Sequence, residues 1–293
     1  MQGRKWDFYK ANLLNKAKLF AQQPSYILFY LDRFRKYSST SAFEAFIISY
    51  PKSGRTWLQK MMIEAVKIEK GVNIDIADIS ALNKYVDDFP NLLSTHAGSS
   101  WEEIVKNHDE IKVDDIEAYS HAKIIFLHRD PRDVLVSQYY HILHRSGYPS
   151  FDRDYLIDNS NVGLLKIIAF MNKWAEYVLA HPNKILPIAY HALKEDPKIY
   201  LIKILDLINY PVSTTHISEA IENSTLSKMR QAERADADNP WANTSSKGAD
   251  NPNSFHSRKG ITGEYKTFFA SEEIEKINRI IKSELSSYYS HYF

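Results

Sequence analysis

A lysine, two hydroxyl side chains and a glycine lie close together in the segment YPKSGRTWL, residues 50–58. An apolar run precedes this segment and a helical pattern follows it, so we predict a strand, a tight turn and a helix. The N–H groups at a helix N-terminus bind anions, and Lys52, Ser53 and Thr56 would add a cation and two hydroxyl donors. In the usual nucleotide-binding loop the lysine follows the last glycine, whereas Lys52 precedes Gly54. On this segment alone, an ordinary strand-to-helix turn with a surface lysine remains the alternative.

Two further clusters of polar residues indicate that the anion carries more than one charged group. Arg129 follows the clearest apolar run of the chain beside a predicted helix start, and Ser137 lies two turns further along that helix. The tripeptide Arg258-Lys259-Gly260 follows a long polar segment. Ligands of open α/β sheets bind at the carboxyl ends of the strands, where the first two clusters are predicted. Three separate anion sites favour a ligand with phosphates at both ends over a simple triphosphate.

The elements that must position these residues alternate between apolar, β-rich segments and helical patterns. The predicted strands are residues 46–49, 92–95, 122–128 and 184–190. The predicted helices are residues 55–70, about 162–180, 197–209, 215–222 and 271–288, with further helices starting near residues 100 and 131. Short connections between alternating strands and helices favour an α/β fold with a parallel sheet covered by helices on both faces, in a single domain over residues 1–293.

Composition limits the function classes. The chain has 293 residues, of which 44% are apolar and 25% charged, and a net charge of +1, so bulk charge argues against nucleic acid and anionic membrane surfaces as partners. Cysteine is absent, which excludes disulfides and thiol catalysis and is compatible with a reducing compartment. With no signal-peptide pattern at the N-terminus, we expect a cytoplasmic protein without stable membrane insertion.

Two segments lie outside the alternating pattern. Residues 1–42 are predicted to form a helical N-terminal segment. We expect its basic, amphipathic part, residues 8–37, to pack on the domain, and a membrane-surface anchor is the alternative. Residues 232–257 are rich in Asp, Asn, Ser and Pro and show little periodicity. A loop of this length in a compact domain is more often functional than idle, so we predict a mobile lid.

Three segments resemble the cofactor signatures of the cytosolic-type sulfotransferase family. They are YPKSGRTWL, FLHRDPRDVLVSQYYH and RKGITGEYKTFF, which occur in the family's order between residues 50 and 269. The resemblance implies a single α/β domain around a parallel sheet of about five strands, related to the P-loop nucleotide kinases. It also implies 3′-phosphoadenosine 5′-phosphosulfate (PAPS) as sulfuryl donor, adenosine 3′,5′-bisphosphate (PAP) as product, and no metal. The first motif, with Arg55, is similar to that of bacterial members of the family. Some bacterial relatives sulfate secondary metabolites, which makes such an acceptor an expectation of the resemblance.

The resemblance also implies which residues hold each part of the cofactor. The 5′-phosphosulfate would contact Lys52, Ser53, Gly54, Arg55, Thr56 and Trp57, and the ring of Trp57 would flank the adenine. The 3′-phosphate would contact Arg129, Ser137, Arg258, Lys259 and Gly260. The adenine would contact Tyr190 and, with weaker support from the motif, Ser224 and Leu226.

In-line transfer of the sulfuryl group needs a base that removes the proton of the acceptor and a positive charge beside the leaving group. His96, in LLSTHAG, stands where the family has its catalytic histidine, and an ordinary imidazole pKa suits proton removal from an acceptor hydroxyl at neutral pH. Lys52 would neutralise charge on the bridging oxygen. The family also implies that Ser137 holds this lysine off the bridge until the acceptor binds.

The sequence departs from the family pattern at four places. Arg55 replaces the usual first threonine, Ser94 replaces a lysine before the catalytic histidine, and Tyr265 replaces a tryptophan. The segment KTFFASEEIE lacks the dimer signature of the animal enzymes, so dimerisation by that route is not expected and the oligomeric state stays open.

Three other functions are alternatives. The first is a P-loop nucleotide kinase. The sequence disfavours it because no lysine follows the glycine of the turn and no acidic residue at the end of a strand is an obvious magnesium ligand. The second is a non-catalytic PAP-binding protein, which the presence of both Lys52 and His96 disfavours. The third is a metal site, since His141 and His144 share a helix face, but no carboxylate accompanies them at a known spacing.

The acceptor is expected to be a polar or cationic small molecule. The segments flanking His96 and following the helix at residue 131 combine aromatic rings with carboxylates, a pairing that suits a cation. The residues are Tyr85, Asp87, Asp88, Phe89, Tyr148, Phe151, Asp152 and Asp154. Solvated loop charges are the alternative interpretation of the aspartates.

Overall fold

The computed structural model describes residues 40–97, 116–145, 151–158, 163–235 and 251–293. These residues form one parallel sheet of four strands in the order β2-β1-β3-β4. The strands are β1 (Ala45–Ser49), β2 (Leu92–Thr95), β3 (Lys123–His128) and β4 (Ile185–Ala189). The predicted α/β class with a central parallel sheet is confirmed, and all four predicted strands are present.

Helices connect and cover the strands. They are α1 (Arg55–Lys70), α2 (Pro131–Arg145), α3 (Asp154–Asp158), α4 (Leu164–Ala180), α5 (Tyr190–Glu195), α6 (Pro197–Leu207), α7 (Thr214–Asn223), α8 (Leu226–Ala235), α9 (Tyr265–Phe268) and α10 (Ser271–Glu284). Short 3-10 helices occur at Thr40–Ala42, Ile79–Lys84, Ile116–Tyr119 and Ser287–Tyr292. The sheet and these longer helices belong to one compact unit, Phe43–Phe293.

The core lies on both faces of the sheet because the side chains of each strand alternate between them. In β1, Phe46 and Ile48 face a cluster that contains apolar side chains of α2, α4 and α10. Ala45 and Ile47 face the other cluster, with side chains of α1, α6 and α7. Burial on both faces explains why the strands read as nearly continuous apolar runs.

The parallel sheet determines where the predicted site residues lie. In a parallel sheet all carboxyl ends meet at one edge, and one polar or aromatic residue follows each strand there. Tyr50 follows β1, His96 follows β2, Arg129 follows β3 and Tyr190 follows β4. The loop that begins at Tyr50 carries the predicted anion-binding turn. The fold therefore brings the sequence motifs to one edge.

The segments outside the alternating pattern differ in part from the prediction. Residues 232–235, expected to belong to a loop, form the last turn of α8. Residues 236–250 lie outside the described residues, and residues 251–257 form turns. The C-terminal helix ends at Glu284, four residues before the predicted end. Nearly all of the predicted N-terminal helical segment also lies outside the described residues.

In the described ranges no helix is long and apolar enough to cross a membrane.

We predict that Trp174 is a main anchor of the core. It is 0% exposed, and its ring stacks on that of Phe126 with centroids 5.4 Å apart. Trp174→Ala should reduce the free energy of unfolding by about 3–5 kcal/mol, measured by urea denaturation. Leu179→Ala, in the same helix at 67% exposure, should change it by less than about 0.5 kcal/mol. Similar losses for both variants would contradict this assignment.

Candidate active site

The anion-binding turn has a backbone that only glycine fits at its tightest point. Lys52 has a φ of 72° and Gly54 a φ of 100°, both in the left-handed region. Gly54 is the N-cap of α1, which begins at Arg55. A Cβ atom at Gly54 would lie 2.4 Å from Cδ2 of Tyr190. The turn can therefore approach Tyr190, the first residue of α5, this closely because residue 54 has no side chain.

Arg129 joins the three predicted clusters. Its Nη1 donates to the carbonyl oxygen of Lys52 at 3.2 Å, and its Nη2 donates to that of Ile261 at 2.9 Å. The guanidinium lies over the ring of Tyr190, 4.6 Å from its centroid. The hydroxyl oxygen of the same tyrosine lies 3.6 Å from the Cβ position of Gly260. The turn, the strand-end arginine and the 258–260 segment thus meet around one buried cation and one ring.

Arg258 and Lys259 are paired with an internal carboxylate. Arg258 donates to both carboxylate oxygens of Glu264, to Oε1 at 2.7 Å, and Lys259 Nζ lies 3.0 Å from the same Oε1. The Arg258 guanidinium also lies 4.2 Å from the ring centroid of Tyr140. Burial alone would raise the pKa of Glu264, but hydrogen bonds from Arg258 and Lys259 hold it below its ordinary value. A phosphate at this position would share these cations with Glu264.

Lys52 is unusually close to losing its proton. Burial lowers its pKa to about 7, and the neighbouring positive charges, first Arg145 and then Arg129 and Arg258, act in the same direction, while Glu233 opposes them. Its Nζ lies 3.4 Å from Nδ1 of His141. Burial and the charge of Lys52 hold the pKa of this histidine well below its ordinary value, so the neutral ring accepts the hydrogen bond.

His141 makes the contact with Lys52 that the resemblance assigned to Ser137. Ser137 is half-buried on α2, one helical turn before His141. The lysine therefore contacts the residue one turn beyond the expected one. Because residues four apart share a helix face, the stripe that continues from Ser137 through His141 to Arg145 was a signal that the sequence offered and that the motif comparison missed.

A second group of site residues had no sequence signal. Nε2 of His256 lies 2.9 Å from the hydroxyl oxygen of Thr56. Buried Glu233 accepts from the backbone N–H groups of His256 and Ser257, both at 2.8 Å. Arg145 Nη1 donates to the carbonyl oxygen of Ser254 at 3.1 Å. These contacts tie residues 254–257 to α2, α8 and the anion-binding turn, although the sequence indicated only a polar loop.

His96 has a defined orientation. Its Nδ1 lies 2.8 Å from the carbonyl oxygen of Ser49, which can only accept a hydrogen bond, so Nδ1 carries the proton. Its Nε2 lies 3.0 Å from Nη2 of Arg55, which can only donate, so the lone pair of a neutral ring is on Nε2. This tautomer places the basic nitrogen on the side of the anion-binding turn.

The residues expected around the adenine lie beside the anion-binding turn. Nε1 of Trp57 donates to the carbonyl oxygen of Ser224 at 3.0 Å, and the rings of Trp57 and Tyr190 meet edge to face at 6.2 Å. Ser224 is fully buried, and Leu226, two residues further on, begins α8. Ser53 is also buried.

The structure does not place Tyr85, Asp87, Asp88 and Phe89 beside His96. Asp88 forms an ion pair of 2.5 Å with Lys70, the last residue of α1. Helix α1 has 16 residues and is therefore about 24 Å long. Its last residue lies at the end far from the anion-binding turn. Residues 85–89 also precede β2, whereas His96 follows it, so they lie at the opposite edge of the sheet.

The physical roles of these four residues are different from the predicted ones. Phe89 is buried and packs edge to face on Tyr210 at 5.1 Å. Tyr85 is exposed, as are Asp87 and Asp88. The prediction that this segment lines the acceptor pocket is therefore wrong, and the interpretation as solvated loop charges fits the two aspartates.

The second predicted acceptor segment is only partly described. Tyr148 lies outside the described residues. Phe151 is half-buried and contacts Tyr139 and Tyr155, with ring centroids 6.4 and 5.8 Å away. Asp152 accepts from the backbone N–H of Asp154 at 3.0 Å, and both aspartates are exposed.

The electrostatics of the site suit a polyanion. Burial leaves Nε of Arg129 and Nε of Arg258 without a hydrogen-bond partner among the described residues. Buried donors on charged groups are costly to leave unpaired, so such donors indicate that a ligand supplies the acceptors. The cations gathered here, opposed by the buried carboxylates of Glu233 and Glu264, are Lys52, Arg55, Arg129, Arg145 and Arg258.

Metal binding was considered because several histidines lie near the site. Within the part of the chain that the structure describes, no three His, Asp or Glu side chains are arranged to hold a metal ion. That the reaction needs no metal stays a prediction.

We predict that Gly54 is required for close packing as well as for its backbone angle. Gly71 also has a positive φ, 62°, but a Cβ there would have nothing within 4 Å. Gly71→Ala should cost about 1–2 kcal/mol of stability through the left-handed conformation alone. Gly54→Ala should cost about 1–3 kcal/mol more, because the added methyl group meets Tyr190. Equal losses in chemical denaturation would contradict the packing argument.

Comparisons with known proteins agree with this geometry. Residues 44–288 match the family model described as "Sulfotransferase domain". Flavonol 3-sulfotransferase of Flaveria bidentis is 24% identical over 266 residues, covering 83% of this chain and 82% of that protein. The amine sulfotransferase of Oryctolagus cuniculus is 24% identical, covering 84% and 81%.

Solved structures show the same fold. Mouse sulfotransferase SULT7A1 complexed with PAP has a TM-score of 0.57 at 18% identity, covering 85% of this chain and 86% of that one. Retinol dehydratase in complex with androsterone and PAP has a TM-score of 0.56 at 17% identity, covering 83% and 80%. Because the family model matches well over half of the chain, this protein belongs to the sulfotransferase family.

Proposed function

We propose that this protein transfers a sulfuryl group from PAPS to a small-molecule acceptor. The group of the acceptor that receives it is a hydroxyl group or an amine or carbamate nitrogen. The observation that carries the proposal is the meeting of the three anion-binding motifs around Arg129 and Tyr190. The Nε donors of Arg129 and Arg258, which are buried and have no hydrogen-bond partner in the described part of the chain, fit a ligand with separated phosphates. The PAP complexes among the structural neighbours and the sulfotransferase relatives support the same donor.

The residues present fit the parts of PAPS. The turn from Lys52 to Trp57 would hold the 5′-phosphosulfate at the N-terminus of α1, where backbone N–H groups and the helix dipole favour an anion. Arg129 and Arg258, with Lys259, would hold the 3′-phosphate. Bound PAPS supplies an activated sulfuryl group with a phosphate as its leaving group.

The chain's own residues would supply the proton transfer and the charge stabilisation. His96 takes the proton of the acceptor through Nε2, and the carbonyl oxygen of Ser49 stabilises the resulting imidazolium by accepting from Nδ1. Lys52 places a cation at the bridging oxygen, where negative charge develops. His141, whose Nδ1 lies 3.4 Å from Lys52 Nζ, and Ser137, one turn earlier on α2, would hold the lysine away from the bridging oxygen until the acceptor binds.

The acceptor remains defined only as a small molecule. The named activities of the relatives, a flavonol and an amine sulfotransferase, support a small-molecule acceptor. A polar or cationic acceptor loses the support of residues 85–89 and keeps that of the second segment, with Tyr148, Phe151, Asp152 and Asp154. The cytoplasmic location also stays part of the proposal.

Lys52 generates a pH prediction. A pKa of about 7 in the free enzyme should rise when a phosphate binds beside it, so binding takes up a proton at higher pH. The affinity for PAP should then fall by up to about tenfold per pH unit between pH 7.5 and 9, where the phosphates themselves no longer titrate. Isothermal calorimetry measures both the affinity and the proton uptake.

Lys52→Arg is the matched control for this effect. A guanidinium stays charged over the whole range, so the affinity of this variant should not depend on pH above 7.5. The same pH slope in Lys52→Arg and the wild-type protein would assign the effect to another group.

The role of His96 is tested by substitution. His96→Ala should reduce sulfuryl transfer at least about 100-fold, because the acceptor keeps its proton, while PAP binding stays within about threefold. The assay is mass spectrometry of the acceptor product, whose exact mass also separates sulfation from the phosphorylation expected of a nucleotide kinase. His216→Ala, which removes a surface partner of Glu69, should leave the rate unchanged. Near wild-type transfer by His96→Ala would refute the assignment.

A further inference from the structure

The nitrogen that base catalysis requires is already occupied in the structure. Nδ1 of His96 donates to Ser49, which leaves the Nε2 lone pair as the only basic site of the ring. The Arg55 guanidinium donates to that lone pair at 3.0 Å. An acceptor hydroxyl group needs the same lone pair at the same distance. His96 can therefore act as a base only after Arg55 moves.

We propose that Arg55 is a positioning residue that blocks His96 in the ligand-free enzyme and exposes it when the phosphosulfate of PAPS binds. The inference rests on the proposed function and extends it, because it makes the availability of the base depend on the presence of the donor.

The position of Arg55 allows both interactions. It is the first residue of α1 and lies between Gly54 and Thr56 in the turn that would hold the phosphosulfate. A pivot of its long side chain therefore exchanges the imidazole for the anion without a change in the backbone. The exchange is favourable because a guanidinium binds a phosphate or sulfate through two charge-assisted hydrogen bonds, whereas a neutral imidazole accepts one.

The arrangement has a consequence for the order of events. Before PAPS binds, an acceptor hydroxyl group cannot donate to Nε2, so the acceptor gains its full contact with His96 only in the complex with PAPS. Once Arg55 has turned to the anion, its charge also stays beside the group being transferred, where negative charge develops. Arg55 would thereby couple donor binding to base exposure.

The hydrogen bond can be observed directly by NMR of protein labelled with 15N in the histidine rings. The Nε2 resonance of His96, identified by its loss in His96→Gln, reports whether the lone pair accepts a hydrogen bond. We expect the resonance to move toward that of a free lone pair in Arg55→Met, which keeps the bulk of the side chain but has no donor. PAPS without acceptor should move the wild-type resonance in the same direction.

Two controls make the result specific. Lys60→Met removes a cation from the same helix, where it pairs with Glu64 at 2.8 Å, and should leave the resonance unchanged. PAPS added to Arg55→Met should cause no further shift in this direction. A shift of equal size in Arg55→Met and wild type on PAPS binding would show a direct effect of the ligand and overturn the proposal.

Chemical modification provides a second measurement in the ligand-free state. Diethyl pyrocarbonate attacks an imidazole nitrogen with a free lone pair, so His96 should react about tenfold faster in Arg55→Met, the ratio expected for loss of one charge-assisted hydrogen bond. Equal rates would overturn the proposal. If calorimetry shows PAPS bound and the wild-type resonance stays at its ligand-free value, the coupling fails alone. If PAPS does not bind, the proposed function fails with it.

Discussion

The site depends on one buried guanidinium. Arg129 lies on the ring of Tyr190 and donates to the carbonyl oxygens of Lys52 and Ile261, so it joins the ends of β3 and β4, the anion-binding turn and the C-terminal motif. Asp133, one turn further along α2, accepts from the backbone N–H of Gly263 at 2.8 Å and holds the same C-terminal segment. A buried cation that contacts one aromatic ring and two carbonyl oxygens gives these loops a defined relative position.

The concentration of positive charge has a chemical consequence. Burial and neighbouring cations bring the pKa of Lys52 to about 7, and His141 and His256 stay neutral beside it. The cations of the site repel one another, and Arg145, Arg129 and Arg258 together lower the affinity of Lys52 for its proton. Binding of a polyanion relieves this repulsion. The same repulsion explains why neutral histidines, rather than further cations, fill the space around the lysine.

Arg55 departs from the family pattern, and its contact with His96 indicates what this departure affects. In the sequence it is one more cation in an anion-binding turn. In the structure it contacts the proposed base, so a residue assigned to the cofactor also affects the acceptor side. The arginine at this position therefore places a cation between the anion-binding turn and the proposed base.

The sequence by itself determined the parallel α/β fold, the four strands and the three anion-binding motifs, because strand periodicity, helix starts and turn residues are local properties of the chain. The carboxyl edge of the sheet followed from them, since parallel strands end on one side. Only the tertiary structure decided the partners of these residues. His256, Glu233 and Arg145 reach the site through contacts between distant segments, and the choice of His141 beside Lys52 depends on how α2 rotates about its axis. The segment Tyr85–Phe89 was misplaced because closeness to His96 along the chain does not indicate closeness in space when a strand separates the two.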